Sequence, residues 1–259
     1  MSLKLSDWLC KAVRYMLFPY QYPGKTLSLI GKTFTDRMLV RELAAMSDHR
    51  EWYRSNNFKT VIDVGGFIGA FAYGIHTILP EARIYSFEPV PENYQKLVKN
   101  LAKAPHFRAF HTALGDQKGE MNFWKSDFAA SSSALPMAEL HKNTFPHTSH
   151  ATAIKVPVAR LDDYLAAMEL EAPVLLKLDV QGFEDKVLQG GSETLRKVNF
   201  ILSEVSYRPL YEGQILFDQI YACLNEQGFE YAGNFDSLVS PADGTILQSD
   251  ALFVRKTNG

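Results

Sequence analysis

From Lys59 onward, apolar runs of strand character alternate with stretches of helical periodicity, and this alternation is the strongest constraint on how the chain can fold. The expected strands are residues 60–64, 82–87, 107–111, 174–180, 199–205, 229–233 and 250–255, and the expected helices are 69–79, 91–103, 183–196 and 214–227. A helix between two strands carries the chain back to where it began. Successive strands therefore lie parallel in one sheet, with helices on both faces. The last apolar run, Ala251-Leu252-Phe253-Val254-Arg255, follows a loop and no helix, which suits an antiparallel strand inserted into that sheet. Segment 115–160 breaks the rhythm with a hairpin strand at 119–124, a loop at Ser131-Ser132-Ser133 and a strand at 154–159.

Ahead of the alternation, residues 3–18 form an amphipathic pattern, with Leu5, Trp8, Leu9, Ala12, Val13 and Met16 on one face and Lys4, Asp7, Lys11 and Arg14 opposite. Pro19 and the Tyr22-Pro23-Gly24 turn end it, and a second helix over 36–55 leads into the first strand. Two units are expected: a helical extension over 1–57 and an α/β domain over 58–259. The first helix is expected to pack on that domain or on a second subunit, giving a homodimer through the N-terminal helices. A membrane-surface or partner-binding helix is the alternative. A net charge of −2 gives no electrostatic case for nucleic acid or an anionic membrane as the main partner. Cys10 and Cys223 lie far apart in no metal or redox spacing, so a reducing, cytoplasmic setting is expected. No apolar stretch is long enough for an integral membrane segment, and charged residues interrupt the N-terminal apolar positions that a signal peptide would need. His141, His147 and His150 fit no common zinc spacing and are expected to be loop histidines, while His76 would be structural within the first core helix.

The run Val61-Ile62-Asp63-Val64 ends in the glycine-rich turn Gly65-Gly66-Phe67-Ile68-Gly69, where a helix begins. Glycine lets a backbone approach a ligand closely, and a helix N-terminus favours an anionic group. The next strand ends in Phe87-Glu88-Pro89, which places an acid where it can accept both hydroxyls of a ribose. Together these describe a nucleoside-cofactor site at the carboxyl edge of a parallel sheet. The glycines miss the G-x-G-x-x-G spacing of a nicotinamide site, and Asp63-x-Gly65-x-x-x-Gly69 better suits S-adenosylmethionine. After the third strand, Thr112-Ala113-Leu114-Gly115-Asp116 either frames an adenine or is an ordinary turn.

These residues resemble the FkbM-type methyltransferases. The resemblance is carried by Val61 to Gly65 with Gly69, by Phe87-Glu88-Pro89-Val90-Pro91-Glu92-Asn93 with Leu97 and Asn100, and by Ala113-Leu114-Gly115-Asp116 with Gly119. It continues through Arg160-Leu161-Asp162-Asp163-Tyr164, the block Lys177-Leu178-Asp179-Val180-Gln181-Gly182-Phe183-Glu184 with Val187, Leu188 and Gly190, then Glu204-Val205 and Gly228-Phe229. It spans residues 58–255 in the family's order. The resemblance implies a class I methyltransferase fold, Rossmann-like, with a seven-stranded mostly parallel sheet, an antiparallel last strand and helices on both faces. It implies S-adenosylmethionine at the carboxyl edge, held by Asp63, Gly65, Gly66, Phe67, Gly69, Glu88, Pro89, Ala113, Leu114 and Asp179. The acceptor it implies is a hydroxyl oxygen of a sugar, glycan or secondary metabolite. Two positions depart from the family: Gly66-Phe67, where a small residue and Asn are usual, and Gln181, where Glu is usual. The departures keep a non-catalytic binding or scaffold protein open as the alternative.

The chemistry is expected on the strand Val174–Val180. Lys177, Asp179 and Gln181 alternate and so share one face, and a lysine buried in a sheet needs a partner. Asp179 is expected to orient or deprotonate the acceptor, with Lys177 tuning it or binding substrate. The other reading of Lys177 is a structural pair with a carboxylate such as Glu204. Glu204, at the neighbouring strand's end, is a further catalytic candidate. Glu184 either reaches the site or favours its own helix N-terminus. Asp179, Glu184 and Glu204 could gather around a divalent cation that activates a hydroxyl, but nothing in their spacing requires one, and no metal is expected. The Ser131–Ser133 loop either covers the acceptor or is solvated.

Overall fold

A computed structural model describes Met46 and residues 48–256 of the chain. The expected helix over 3–18, most of that over 36–55 and the dimer contact built on them lie outside the described residues. Helix α1 (Arg50–Asn56) precedes β1 (Thr60–Val64), α2 (Ala70–Ile78), β2 (Arg83–Phe87), α3 (Pro91–Asn100) and β3 (Phe107–Phe110). The irregular segment holds β4 (Ala113–Leu114), β5 (Gly119–Ser126), α4 (Glu139–Thr144) and β6 (Ala151–Ala159). The second half runs β7 (Val174–Leu178), α5 (Glu184–Gln189), α6 (Ser192–Leu195), β8 (Phe200–Ser206), α7 (Phe217–Glu226), β9 (Phe229–Val239) and β10 (Ile246–Arg255).

The seven-stranded sheet has the order β3-β2-β1-β7-β8-β10-β9. β1 pairs in parallel with β2 and β7, β2 with β3, and β7 with β8. β10 lies antiparallel to both β8 and β9. This is the architecture that the resemblance implies. The chain winds from β1 outward through β2 and β3, then returns to the other side of β1 as β7. The β1/β7 boundary is thus the switch point, where helices leave the sheet in opposite directions and open a crevice.

Alternation along each strand divides the core. Val61, Ile84, Leu175, Leu202 and Leu252 pack with α1, α2 and α3 on one face. Ile62, Val64, Leu176, Leu178, Ile201 and Phe253 pack with α5, α6 and α7 on the other. A strand apolar on both faces is the mark of a covered parallel sheet. Segment 115–160 joins the short β4 ahead of it in a second, three-stranded sheet in the order β4-β6-β5, with the expected hairpin strand pairing antiparallel to β6.

The expected helix over 183–196 is two short helices. At Gly190 a Cβ would lie 1.9 Å from the Gly115 carbonyl oxygen, so the helix end is pressed against the β4 turn and cannot continue through a side chain. Asp162 then restarts the chain as α6: its Oδ1 accepts from the Thr194 N–H and hydroxyl, each at 2.8 Å.

Candidate active site

At the carboxyl ends of β1, β2 and β7 lies a cleft of about 1000 Å³, open to solvent and lined in part by residues of the 115–160 segment. Its first wall is the turn after β1. The Gly65 and Gly66 N–H groups both donate to the Phe87 carbonyl, at 3.0 and 2.9 Å, which fastens this turn to β2. Gly65 has a φ of +83°, and a Cβ there would meet the Asp179 carbonyl oxygen at 1.9 Å, so this crossing of β1 and β7 requires glycine. Phe67 follows with a φ of +49° and turns its N–H onto Glu88.

Glu88 stands at the end of β2 and is 5% exposed. Its Oε2 accepts from the Phe67 N–H at 2.9 Å, and its Oε1 from the Val90 N–H at 2.8 Å and Asn93 Nδ2 at 3.4 Å. Burial pushes its pKa up to about 8 against the pull of these donors. Each carboxylate oxygen offers two acceptor sites, so Oε2 retains one toward the cleft. Pro89, Thr112, Ala113, Leu114 and Phe183 continue the wall as a largely apolar surface. Ala113 and Leu114 reach the cleft, whereas Asp116 turns away to Lys186, 3.7 Å distant.

The opposite wall is built from β7 and the loop after it. Lys177 is 8% exposed, and its Nζ lies 2.9 Å from Asp179 Oδ2 and 5.2 Å from the centre of the Phe71 ring. The lysine is thus paired within its own strand end, not with Glu204. Asp179 Oδ1 accepts from Gln181 Nε2 at 2.8 Å. Gln181 joins this group although β7 ends at Leu178, because its left-handed backbone, φ +56°, folds the loop back. Glu184 is buried, and its Oε1 accepts from the Val180 and Gly182 N–H groups at 3.1 and 3.2 Å. It therefore ties its own helix start to the loop. Desolvation raises its pKa to about 7.

Four expectations need correction. Asp63 does not reach the cleft: on β1 it shares the face of Val61, lies fully buried beneath the turn, and accepts from the Ser86 hydroxyl at 2.8 Å. Gly69 is also absent from the cleft wall. Its φ of +85° starts α2, and a Cβ there would strike Leu97 and Leu101 at 2.8 Å, so it is a packing glycine between α2 and α3. Glu204 sits behind Gln181, whose Nε2 donates to it at 2.6 Å, and does not line the cleft. Burial and the neighbouring Asp179 carboxylate hold the Glu204 pKa well above its usual range. His141 is no loop histidine: it lies on α4, 5% exposed, with its ring edge-on to Tyr211. The remaining expected residues, Gly65, Gly66, Phe67, Glu88, Pro89, Ala113, Leu114, Lys177 and Asp179, all line the one cleft.

The serine loop is folded inward. Ser132 lines the cleft, and Ser133, 1% exposed, donates from its hydroxyl to the Gln181 carbonyl at 2.7 Å. Residue-by-residue reading missed Phe71, Phe123 and Phe183, which line the same cleft. They lie on separate elements; Phe71 and Phe123 fall in no motif, and Phe183 falls within the Lys177–Glu184 block at a position that was given no role of its own. Among the described residues, no group of three or more His, Cys, Asp or Glu is arranged to hold a metal ion, and no helix is long and apolar enough to cross a membrane.

Residues 63–231 match the methyltransferase FkbM domain. The 2-O-methyltransferase NoeI of Sinorhizobium fredii is 31% identical over 161 residues, covering 60% of this chain and 66% of its own length. The hexuronic acid methyltransferase AglP of Haloferax volcanii is 28% identical over 144 residues, covering 55% of this chain and 54% of its own. The 31-O-demethyl-FK506 methyltransferase FkbM of Streptomyces tacrolimicus is 26% identical, covering 91% of this chain and 92% of its own. This chain therefore spans less than two thirds of the length of the first two relatives.

Proposed function

Because this chain belongs to the methyltransferase FkbM domain family, whose methyl donor is S-adenosylmethionine, we propose that it transfers that methyl group to a hydroxyl oxygen of a sugar, glycan or secondary metabolite. The observation that carries the reading is that two acids ending different strands, Glu88 of β2 and Asp179 of β7, line one cleft at the sheet's switch point.

The residues present fit the cofactor. Glu88 offers an acceptor site for ribose hydroxyls, the glycine turn leaves the backbone of residues 65 and 66 bare on the cleft wall, and Pro89, Ala113 and Leu114 supply an apolar surface for a base. When bound, S-adenosylmethionine supplies a sulfonium-activated methyl group open to in-line displacement. The protein's own part is alignment, a dry site and a proton acceptor. Phe67, Phe71, Phe123 and Phe183 give the cleft an apolar lining that would shed water around a bound donor and acceptor. Asp179 faces the cleft with its side chain 35% exposed, and is the group to take the acceptor's hydroxyl proton as the new O–CH₃ bond forms. Lys177, bonded to Asp179 Oδ2, holds one oxygen of that carboxylate in place.

A hydroxyl oxygen as acceptor is supported by the relative that is a 2-O-methyltransferase, and a sugar by the relative that is a hexuronic acid methyltransferase. The test is to incubate the purified chain with S-adenosylmethionine and a panel of sugars and hydroxylated metabolites, and to measure S-adenosylhomocysteine release together with the mass gain of the acceptor. A methylated hydroxyl is the expected product. Cofactor binding with no turnover on any hydroxylated acceptor would replace this reading with the non-catalytic one.

A further inference from the structure

Gln181 sits where the loop after β7, the end of β8 and the serine loop meet. Its Nε2 lies 2.8 Å from Asp179 Oδ1 and 2.6 Å from Glu204 Oε2. Its Oε1 accepts from the Tyr211 hydroxyl at 2.8 Å, and its main-chain carbonyl accepts from the Ser133 hydroxyl. Ionised carboxylates only accept hydrogen bonds, and the amide nitrogen accordingly faces the two acids, one N–H for each. The Tyr211 ring is fully buried, and its hydroxyl fixes the other end of the amide.

We propose that Gln181 is a positioning residue of the active site: it holds one carboxylate oxygen of Asp179 while Lys177 holds the other, and it keeps Asp179 aimed into the cleft and apart from Glu204. The proposal takes the site's chemistry from the methyltransferase reading, but its geometry stands without it.

The need for such a residue follows from the surrounding charges. Asp63, Glu184 and Glu204 share the electrostatic neighbourhood of Asp179, Asp250 adds a further acid beside Glu204, and Lys177 and the neutral phenol of Tyr211 lie among them. Two carboxylates sharing one space repel unless a proton or a donor lies between them. Gln181 supplies donors to both without adding charge. Gln248 Nε2 adds a second donor to Glu204 Oε2, at 3.0 Å. A glutamate at 181 would instead aim an acceptor at two acceptors. The amide is also tied to the serine loop, because the Tyr211 hydroxyl lies 3.3 Å from the Ser131 carbonyl as well. Moving that loop withdraws the Ser133 anchor of Gln181 and the Ser131 contact of Tyr211, and so loosens the aim of Asp179.

The test is a carboxyl ¹³C NMR pH titration of the full chain, with the Asp179 resonance assigned by its loss in D179N. In Gln181→Met the midpoint of Asp179 is expected to rise by about one unit, as it loses a donor and faces Glu204 directly. Gln181→Glu is expected to raise it further, and Tyr211→Phe to raise it by less. An Asp179 midpoint equal to wild type in Gln181→Met and Gln181→Glu, with both variants folded by thermal melting, overturns the proposal. If Gln181→Met does not fold, Gln181→Glu and Tyr211→Phe decide it in the same way. S-adenosylhomocysteine binding by the wild type is measured separately: its absence sinks the methyltransferase reading and leaves the titration result standing.

Discussion

Glu88 and Asp179 line the cleft from opposite sides of β1 and are held by different parts of the chain. Glu88 takes hydrogen bonds from the main-chain N–H groups of Phe67 and Val90, with Asn93 as a side-chain addition. Asp179 takes its hydrogen bonds from two side chains, Lys177 and Gln181. Main-chain donors come with the fold: any sequence that makes β1, the left-handed turn and the start of α3 supplies them. Side-chain donors can be exchanged by one substitution. The Glu88 end is therefore as constant as the sheet that builds it, and the Asp179 end is where the chemistry is tuned. Exposure follows the same division, with Glu88 5% exposed and the Asp179 side chain 35% exposed.

The sharpest way to break this comparison is at the point where the two ends touch. Gly65→Ala forces a left-handed alanine and drives a Cβ into the Asp179 carbonyl, which already lies 1.9 Å from that position. Left-handed strain and overpacking together cost about 2–5 kcal/mol, a large part of a domain's stability, so the variant is expected to melt far lower or not to accumulate. Wild-type melting would show that the close crossing of β1 and β7 is not required.

A pair of variants then separates the two acids. Asp179→Asn is expected to lower turnover at least about a hundredfold with little change in S-adenosylhomocysteine affinity. Glu88→Ala is expected to lower that affinity about tenfold to a hundredfold. Calorimetry and initial rates on both proteins check the split. Equal effects on binding and turnover in both variants would merge the two ends into one.

Proton linkage gives a smaller, graded test. Glu88 accepts from a ribose hydroxyl at full strength only when ionised, and its pKa in the free protein is about 8. Affinity for S-adenosylhomocysteine should therefore fall as pH drops below 8, approaching tenfold per unit, with proton release visible in buffers of different ionisation enthalpy. Stability runs the other way. Glu88 and Glu184 have folded pKa values of about 8 and about 7 against an ordinary 4.5, so their contribution is complete below pH 4.5 and is lost as pH rises toward 7 to 8. Thermal melts at pH 6 and pH 9 should show the lower midpoint at pH 9, and Glu88→Gln should flatten the difference. The smallest effect expected is at Phe67. Its φ of +49° is costly for a bulky residue and mild for asparagine, so Phe67→Asn should stabilise by about 1 kcal/mol in denaturant melts. A loss of stability would mean that the ring's packing outweighs the strain.

Legibility in the sequence followed the same division. Strand-end acids and the glycine turn were readable because each is a local pattern: an apolar run, a punctuation residue, then a helix. Asp63 and Gly69 share that pattern yet serve the interior, one beneath the turn and one between α2 and α3. Spacing alone does not tell a ligand-facing position from the one packed behind it. Lys177, Asp179 and Gln181 were grouped correctly by strand alternation, although Gln181 returns to the group by a left-handed bend beyond the strand. The Gln181–Tyr211 contact joins loops 30 residues apart, and no periodicity announces it. The expected helix over 183–196 ran straight through Gly190-Gly191, because what breaks it there, the Gly115 carbonyl, is a tertiary contact.

The central claim is that the cleft between Glu88 and Asp179 holds an adenosyl cofactor. Isothermal titration of the purified chain with S-adenosylmethionine, S-adenosylhomocysteine and NAD tests it most directly. The account predicts saturable binding of the two adenosyl sulfur ligands, no binding of NAD, and weakened binding in Glu88→Ala. Binding of NAD alone, or no binding of any adenosyl ligand by folded protein, would contradict it.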